Sequence, residues 1–177
     1  MKNILKIAYV LCFFLLMSAC ATSNKIPSAK VNSLLEGGEF TFMAERANPT
    51  NFDVINVMNS LQNSSSARIL NLDYGYTLVL KKDEIIATLP YYGRLFTPSF
   101  DNEKNSYRFT SKDFTINKTA GKKGSSLYII TLKDQPNIQK MNLEIFGSGK
   151  SYLSMSSNDR QPISYDGYIM ENTVKKN

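Results

Sequence analysis

From Glu39 onward the chain is dominated by a period of two. Phe40, Phe42 and Ala44 alternate with Glu39, Thr41, Met43 and Glu45, the pattern of a strand with one buried face, and Asn48-Pro49 ends it. Runs at 67–72, 76–81, 84–89, 107–109, 114–116, 127–132, 138–146, 151–155 and 163–170 read as further strands. Turn formers separate them: Asp73-Tyr74-Gly75, Lys82-Asp83, the stretch 119–124, Asp134-Gln135-Pro136 and Gly147-Ser148-Gly149. Lys82-Asp83 and Gly147-Ser148-Gly149 each predict a hairpin. Two segments break the alternation. Ser28 is placed to N-cap a brief helix through Val31, Leu34 and Leu35, closed by Gly37-Gly38. Residues 51–61 form an irregular excursion in which Val54, Val57, Met58 and Leu61 fit a short helix. Repeated short strands predict an all-β fold, a mostly antiparallel sandwich or barrel-like domain with a short N-terminal helix.

The first twenty residues follow another logic. Lys2 and Lys6 precede an uncharged apolar run, 7–17, and Met17-Ser18-Ala19-Cys20 places small residues before a cysteine. That is the anatomy of a secretory signal, and the run is shorter than the roughly 20 apolar residues of a spanning helix. The cysteine marks a lipoprotein cleavage site, with Cys20 as the acylated first residue of the mature chain. The expected organisation is a signal peptide over 1–19, an acylated tether over 20–27 and one β-rich domain over 28–177. The tether lacks an acidic run after Cys20, so the expected location is the cell envelope, on the outer membrane facing the periplasm.

Composition narrows the chemistry. Histidine is absent, which removes the commonest general base and metal ligand. The two cysteines are Cys12, which leaves with the signal, and Cys20, which carries lipid. Ser-His-Asp and Cys-His catalysis and the usual zinc sites are therefore excluded from the mature chain. Losing Lys2 and Lys6 lowers the formal charge from +6 to +4, with signs mixed along the chain, so no nucleic-acid partner is expected. Gly147-Ser148-Gly149-Lys150-Ser151 resembles the end of a phosphate loop, but Glu144 stands where the first glycine belongs and a strand pattern follows. Asp101, Glu103 and Asn105 begin like a calcium loop that Ser106 and Lys112 fail to complete. No cofactor or metal is expected.

One segment stands apart. Leu89-Pro90-Tyr91-Tyr92-Gly93-Arg94-Leu95-Phe96 follows a strand that Pro90 should stop. Tyrosine and arginine supply wide amphipathic contact area, as binding surfaces require, and an arginine over an aromatic face also makes an internal cation–π contact. Tyr91, Tyr92 and Arg94 are the candidate binding surface, with Tyr91 expected buried and Tyr92 and Arg94 partly exposed.

Together with Phe40-Thr41-Phe42-Met43-Ala44 and the ending Asn158-Asp159-Arg160-Gln161-Pro162-Ile163-Ser164-Tyr165-Asp166-Gly167, this corner resembles domain of unknown function 4251, a family of bacterial envelope lipoproteins. The resemblance spans Glu39 to Ile169 and implies a single-domain envelope lipoprotein, with no catalytic residues to carry over. The expected role is a membrane-anchored, non-enzymatic binding or scaffolding domain whose partner is an envelope protein or small ligand. The alternatives are a periplasmic hydrolase-like enzyme using Ser/Lys or carboxylates, and a carrier of a small apolar ligand.

Overall fold

The computed structural model describes residues 26–61, 65–96 and 106–173. Cys20 and the trio Asp101, Glu103 and Asn105 lie outside the described residues. Helix α1 (Ser28–Gly37) is the expected N-terminal helix, but Ser28 is its first residue rather than its cap. The carbonyl of Pro27 accepts from the N–H groups of Lys30 and Val31 instead, at 2.9 and 3.1 Å. Gly38 closes the helix in the left-handed region at φ 70°, its N–H donating to the Leu34 carbonyl. Val31 is the residue that α1 buries.

Strand β1 (Phe40–Pro49) follows. Phe40, Phe42 and Ala44 are buried as the alternation predicts, but so are Thr41 and Met43, so the first half of β1 is covered on both faces. A bulge between Ala44 and Arg46 then shifts the register. Helix α2 (Phe52–Ser60) fills the excursion, with the Asn51 side chain accepting from the Asp53 N–H at 2.9 Å. The strand expected at 67–72 is overturned: Ser66–Leu70 is a short helix, α3. Ser65 caps it, its hydroxyl accepting from the Arg68 N–H at 3.3 Å, and this local bond outweighs the run's weak strand preference.

The remaining strands are β2 (Thr77–Leu80), β3 (Ile85–Pro90), β4 (Ser106–Ser111), β5 (Phe114–Ala120), β6 (Ser126–Leu132), β7 (Ile138–Ile145), β8 (Lys150–Ser157) and β9 (Ile163–Met170). A single-turn 3-10 helix, Lys122–Gly124, joins β5 to β6. They form one antiparallel sheet of nine strands in the order β4-β3-β2-β1-β9-β8-β7-β6-β5. The glycine segment that resembles a phosphate loop is the β7–β8 hairpin turn, with Gly149 at φ 81°.

The sheet curls into a nearly closed barrel. Its two end strands, β4 and β5, are separated in sequence only by Lys112 and Asp113, a span of at most about 11 Å between Ser111 and Phe114. Followed pair by pair around the sheet, the register climbs by about thirteen residues, a stagger of the kind that closes a small barrel. β4 and β5 thus act as two halves of one bent strand. The first half pairs with β3 and the second with β6. Asp134 holds the bend: its carboxylate accepts from the Ser111 hydroxyl at 2.5 Å and from the N–H groups of Lys112 and Asp113 at 2.8 and 3.3 Å. The Ser111 hydrogen bond, with that of the Lys112 N–H, holds this carboxyl below the usual carboxylate range. Inside, Phe40, Phe42, Leu78, Leu143, Leu153 and Tyr165 fill the barrel.

Two outcomes follow for stability. Gly167 lies where a Cβ would collide with the Met43 carbonyl of the neighbouring strand, so Gly167→Ala should cost about 3 kcal/mol or more, at or above the top of the range for overpacking. A urea titration reads the loss as a lower midpoint. For Asp134 the folded value is the lower one. Its contribution should be present above the ordinary value of 3.8 and vanish as pH falls through the folded one. Asp134→Asn should therefore flatten the acid limb of the stability curve.

Candidate binding site at the open edge of β4

Because β4 pairs, among the described residues, only with β3, its other edge faces the loops that follow β6 and β8. Along a strand, successive residues turn their N–H and C=O groups to opposite sides. Ser106 stands opposite Pro90, and its carbonyl accepts from Arg160 at 3.2 Å. The Thr110 carbonyl accepts from the Gln135 side chain at 3.2 Å. Ser106 and Thr110 therefore turn outward from β3, and Arg108 between them does the same.

Arg160 anchors one end of this edge. It is only 7% exposed, and a buried cation must be neutralised and hydrogen-bonded to persist. Asp159 accepts from its Nε and one terminal nitrogen at 3.1 and 2.9 Å. The guanidinium carbon lies 5.0 Å from the Tyr91 ring centroid and 4.8 Å from that of Tyr107, and these rings meet edge to face, so two π faces hold the cation as well. Burial works against the charge, but the Asp159 hydrogen bonds together with the Asp159 charge and the neighbouring Tyr107 and Tyr91 outweigh it, and Arg160 holds its proton more firmly than usual.

The tyrosine corner wraps around the same point. Phe96 N–H donates to the Asp159 carbonyl at 2.8 Å and Gln161 N–H to the Arg94 carbonyl at 3.1 Å. The Tyr91 hydroxyl is shared between the Arg94 and Gln161 carbonyls at 3.0 and 3.1 Å. Tyr91 folds back so closely over Gly93 that a Cβ there would strike its ring. Behind it the Tyr165 hydroxyl donates to the Pro90 carbonyl at 2.6 Å. Burial, then the neighbouring Tyr107, pushes the Tyr91 phenol up to about 12. Burial also raises Tyr107, whose hydroxyl meets that of Ser157 at 3.0 Å.

The sequence-based candidates divide here. Tyr91 is half-buried rather than fully buried, Tyr92 is half-buried against the core, and Arg94 is exposed. Burial, then Tyr76 and Asp73, raises the Tyr92 phenol. The cation over the aromatic faces is Arg160, not Arg94. Arg160 lies 66 positions further on in sequence, and nothing in its Asn-Asp-Arg-Gln-Pro setting distinguishes it from an ordinary turn.

Between the β4 edge and the two loops lies a cavity of about 290 Å³, near the small end of the range for ligand sites, roughly 300–1,000 Å³. Tyr107, Phe109 and Ile138 give it apolar wall. Gln135, Asn137, Ser157 and the Asp159–Arg160 pair give it polar wall. Among the described residues, no three His, Cys, Asp or Glu side chains gather where they could hold a metal ion.

Arg160→Ala should cost about 3 kcal/mol or more, since it leaves Asp159 without its partner. Arg94→Ala should move stability by less than about 0.5 kcal/mol, and paired urea titrations read both. The phenol gives a pH signature. Tyr91 has its folded value above the unfolded 10.0, so its contribution is complete below pH 10.0 and is lost as pH rises through about 12. Tyr91→Phe should make the alkaline fall in stability shallower.

Comparison with known proteins gives the family and little more. A crystal structure of a DUF4251 family protein from Bacteroides eggerthii DSM 20697 is similar, with a TM-score of 0.48 and 10% identity over 82% of this chain and 87% of that one. Comparison with curated proteins finds no match. The family model described as domain of unknown function (DUF4251) matches residues 24–169, and the chain belongs to that family.

Proposed function

We propose that this protein is a lipid-anchored, non-enzymatic binding domain of the bacterial cell envelope, held through Cys20 on the outer membrane with its site facing the periplasm. The observation that carries the binding reading is the cavity beside β4, where polar groups line a break in the barrel wall. Its ionisable groups are suited to holding rather than to proton transfer. Tyr91 and Tyr107 have raised values, and Arg160 and Asp159 satisfy each other. The Ser111 and Ser125 hydroxyls donate to the carboxylates of Asp134 and Glu144, which argues against a serine–lysine hydrolase. The filled interior argues against a carrier of an apolar ligand.

The geometry also suits an anchored receptor. Ile26 lies beside Gly149 at the start of β8, and six residues of tether reach at most about 20 Å from Cys20. β8 runs from there to Ser157 at the cavity, a rise of about 25 Å. The cavity then opens away from the membrane. No described helix is long and apolar enough to cross a membrane, and two or three acyl chains, at about 0.8 kcal/mol per buried CH₂, suffice to anchor the domain.

The test is fractionation with mass analysis. Wild-type protein should partition with membranes and carry acyl mass on Cys20. Cys20→Ala should yield soluble protein or uncleaved precursor. Wild-type protein recovered as soluble chain without acyl mass would overturn the anchoring.

A further inference from the structure

We propose that the cavity beside β4 is a slot for one short, extended peptide, gripped through the main-chain N–H and C=O of Arg108. The inference rests on the binding reading above and names its ligand class. An unpaired strand edge presents donors and acceptors at the spacing of another extended chain. Here most of that edge is already taken: Arg160 caps the Ser106 carbonyl and Gln135 caps the Thr110 carbonyl. What lies between is the outward-facing donor–acceptor pair of Arg108, with the Thr110 N–H next to it along the strand. Residues 106 and 110 are about 13 Å apart along the strand, which limits the occupant to about three residues. The stoppered ends therefore favour a short peptide over the long edge strand of a partner protein.

The walls fit the same occupant. Extended peptides send successive side chains to opposite faces. The cavity lines that path with the apolar side chains of Phe109 and Ile138 and with the amides of Gln135 and Asn137. Recognition through the main chain makes the slot tolerant of peptide sequence.

The experiment uses the mature lipoprotein in detergent micelles and trialanine acetylated at one end and amidated at the other, so that no terminal charge contributes. NMR follows the backbone amides during titration. The expected result is a saturable shift at Arg108 and its neighbours. The same peptide with every alanine nitrogen methylated should bind at least about tenfold more weakly, the worth of one main-chain hydrogen bond left unmade. Asn137→Trp, which fills the slot from an exposed position, should abolish the shift. The wild-type comparison of the two peptides stands even if the tryptophan variant fails to fold. Absence of a saturable shift, a shift confined to other elements, or equal binding of the methylated peptide overturns the proposal. Fractionation reads the anchor alone, so failure of either test leaves the other standing.

Discussion

A charged guanidinium taken out of water has to be neutralised, and where that happens decides the architecture at the top of this barrel. Arg160 sits in the loop between β8 and β9, and besides Asp159 beside it, its partners come from two other places: the Ser106 carbonyl and Tyr107 ring at the start of β4, and the Tyr91 ring of the tyrosine corner. Each of these contacts removes part of the cost of burying the charge. Together they pin the start of β4 to the β8–β9 loop, and they reinforce the backbone bridge between Leu95 and Arg160 that ties the tyrosine corner to the same loop. The open edge of β4 is the consequence of barrel closure, and Arg160 is how the chain satisfies one end of it.

The other end is handled by an amide and a carboxylate. Gln135 covers Thr110, and Asp134, the residue before it, gathers the hydroxyl of Ser111 and two backbone N–H groups at the bend between β4 and β5. One short loop thus both fixes the bend and limits the slot. The bend itself gives β4 and β5 different neighbours, so a strand that would otherwise be paired on both sides exposes part of its edge. Fold closure and candidate site are one feature seen from two sides.

Much of the fold was legible because strand burial is written with a period of two. The hairpin at Lys82-Asp83, the turn at Gly147 to Gly149 and the bounds of β9 all follow from local pattern. The misreadings came where a local or distant contact overrides that pattern. Ser65 caps a helix where 67–72 alternates weakly, and Thr41 and Met43 are buried on the second face of β1, with the Thr41 hydroxyl donating to Asn172 beyond β9. The site was only half legible. Tyr91 and Gly93 announce a tight corner, but the nearby Arg94 is exposed, while the cation that the rings hold comes from the other end of the domain. A contact between Tyr91 and Arg160 is fixed by the order of strands around the barrel, and no spacing rule along the chain encodes it.

The claim on which the rest depends is that alternate residues of β4 face away from β3 with Arg108 among them. Native-state hydrogen exchange of individual amides measures this directly. The account predicts slow exchange at Tyr107 and Phe109, whose N–H groups turn toward β3, and fast exchange at Arg108 between them. Protection of Arg108 equal to that of its two neighbours would contradict the open edge and, with it, the slot.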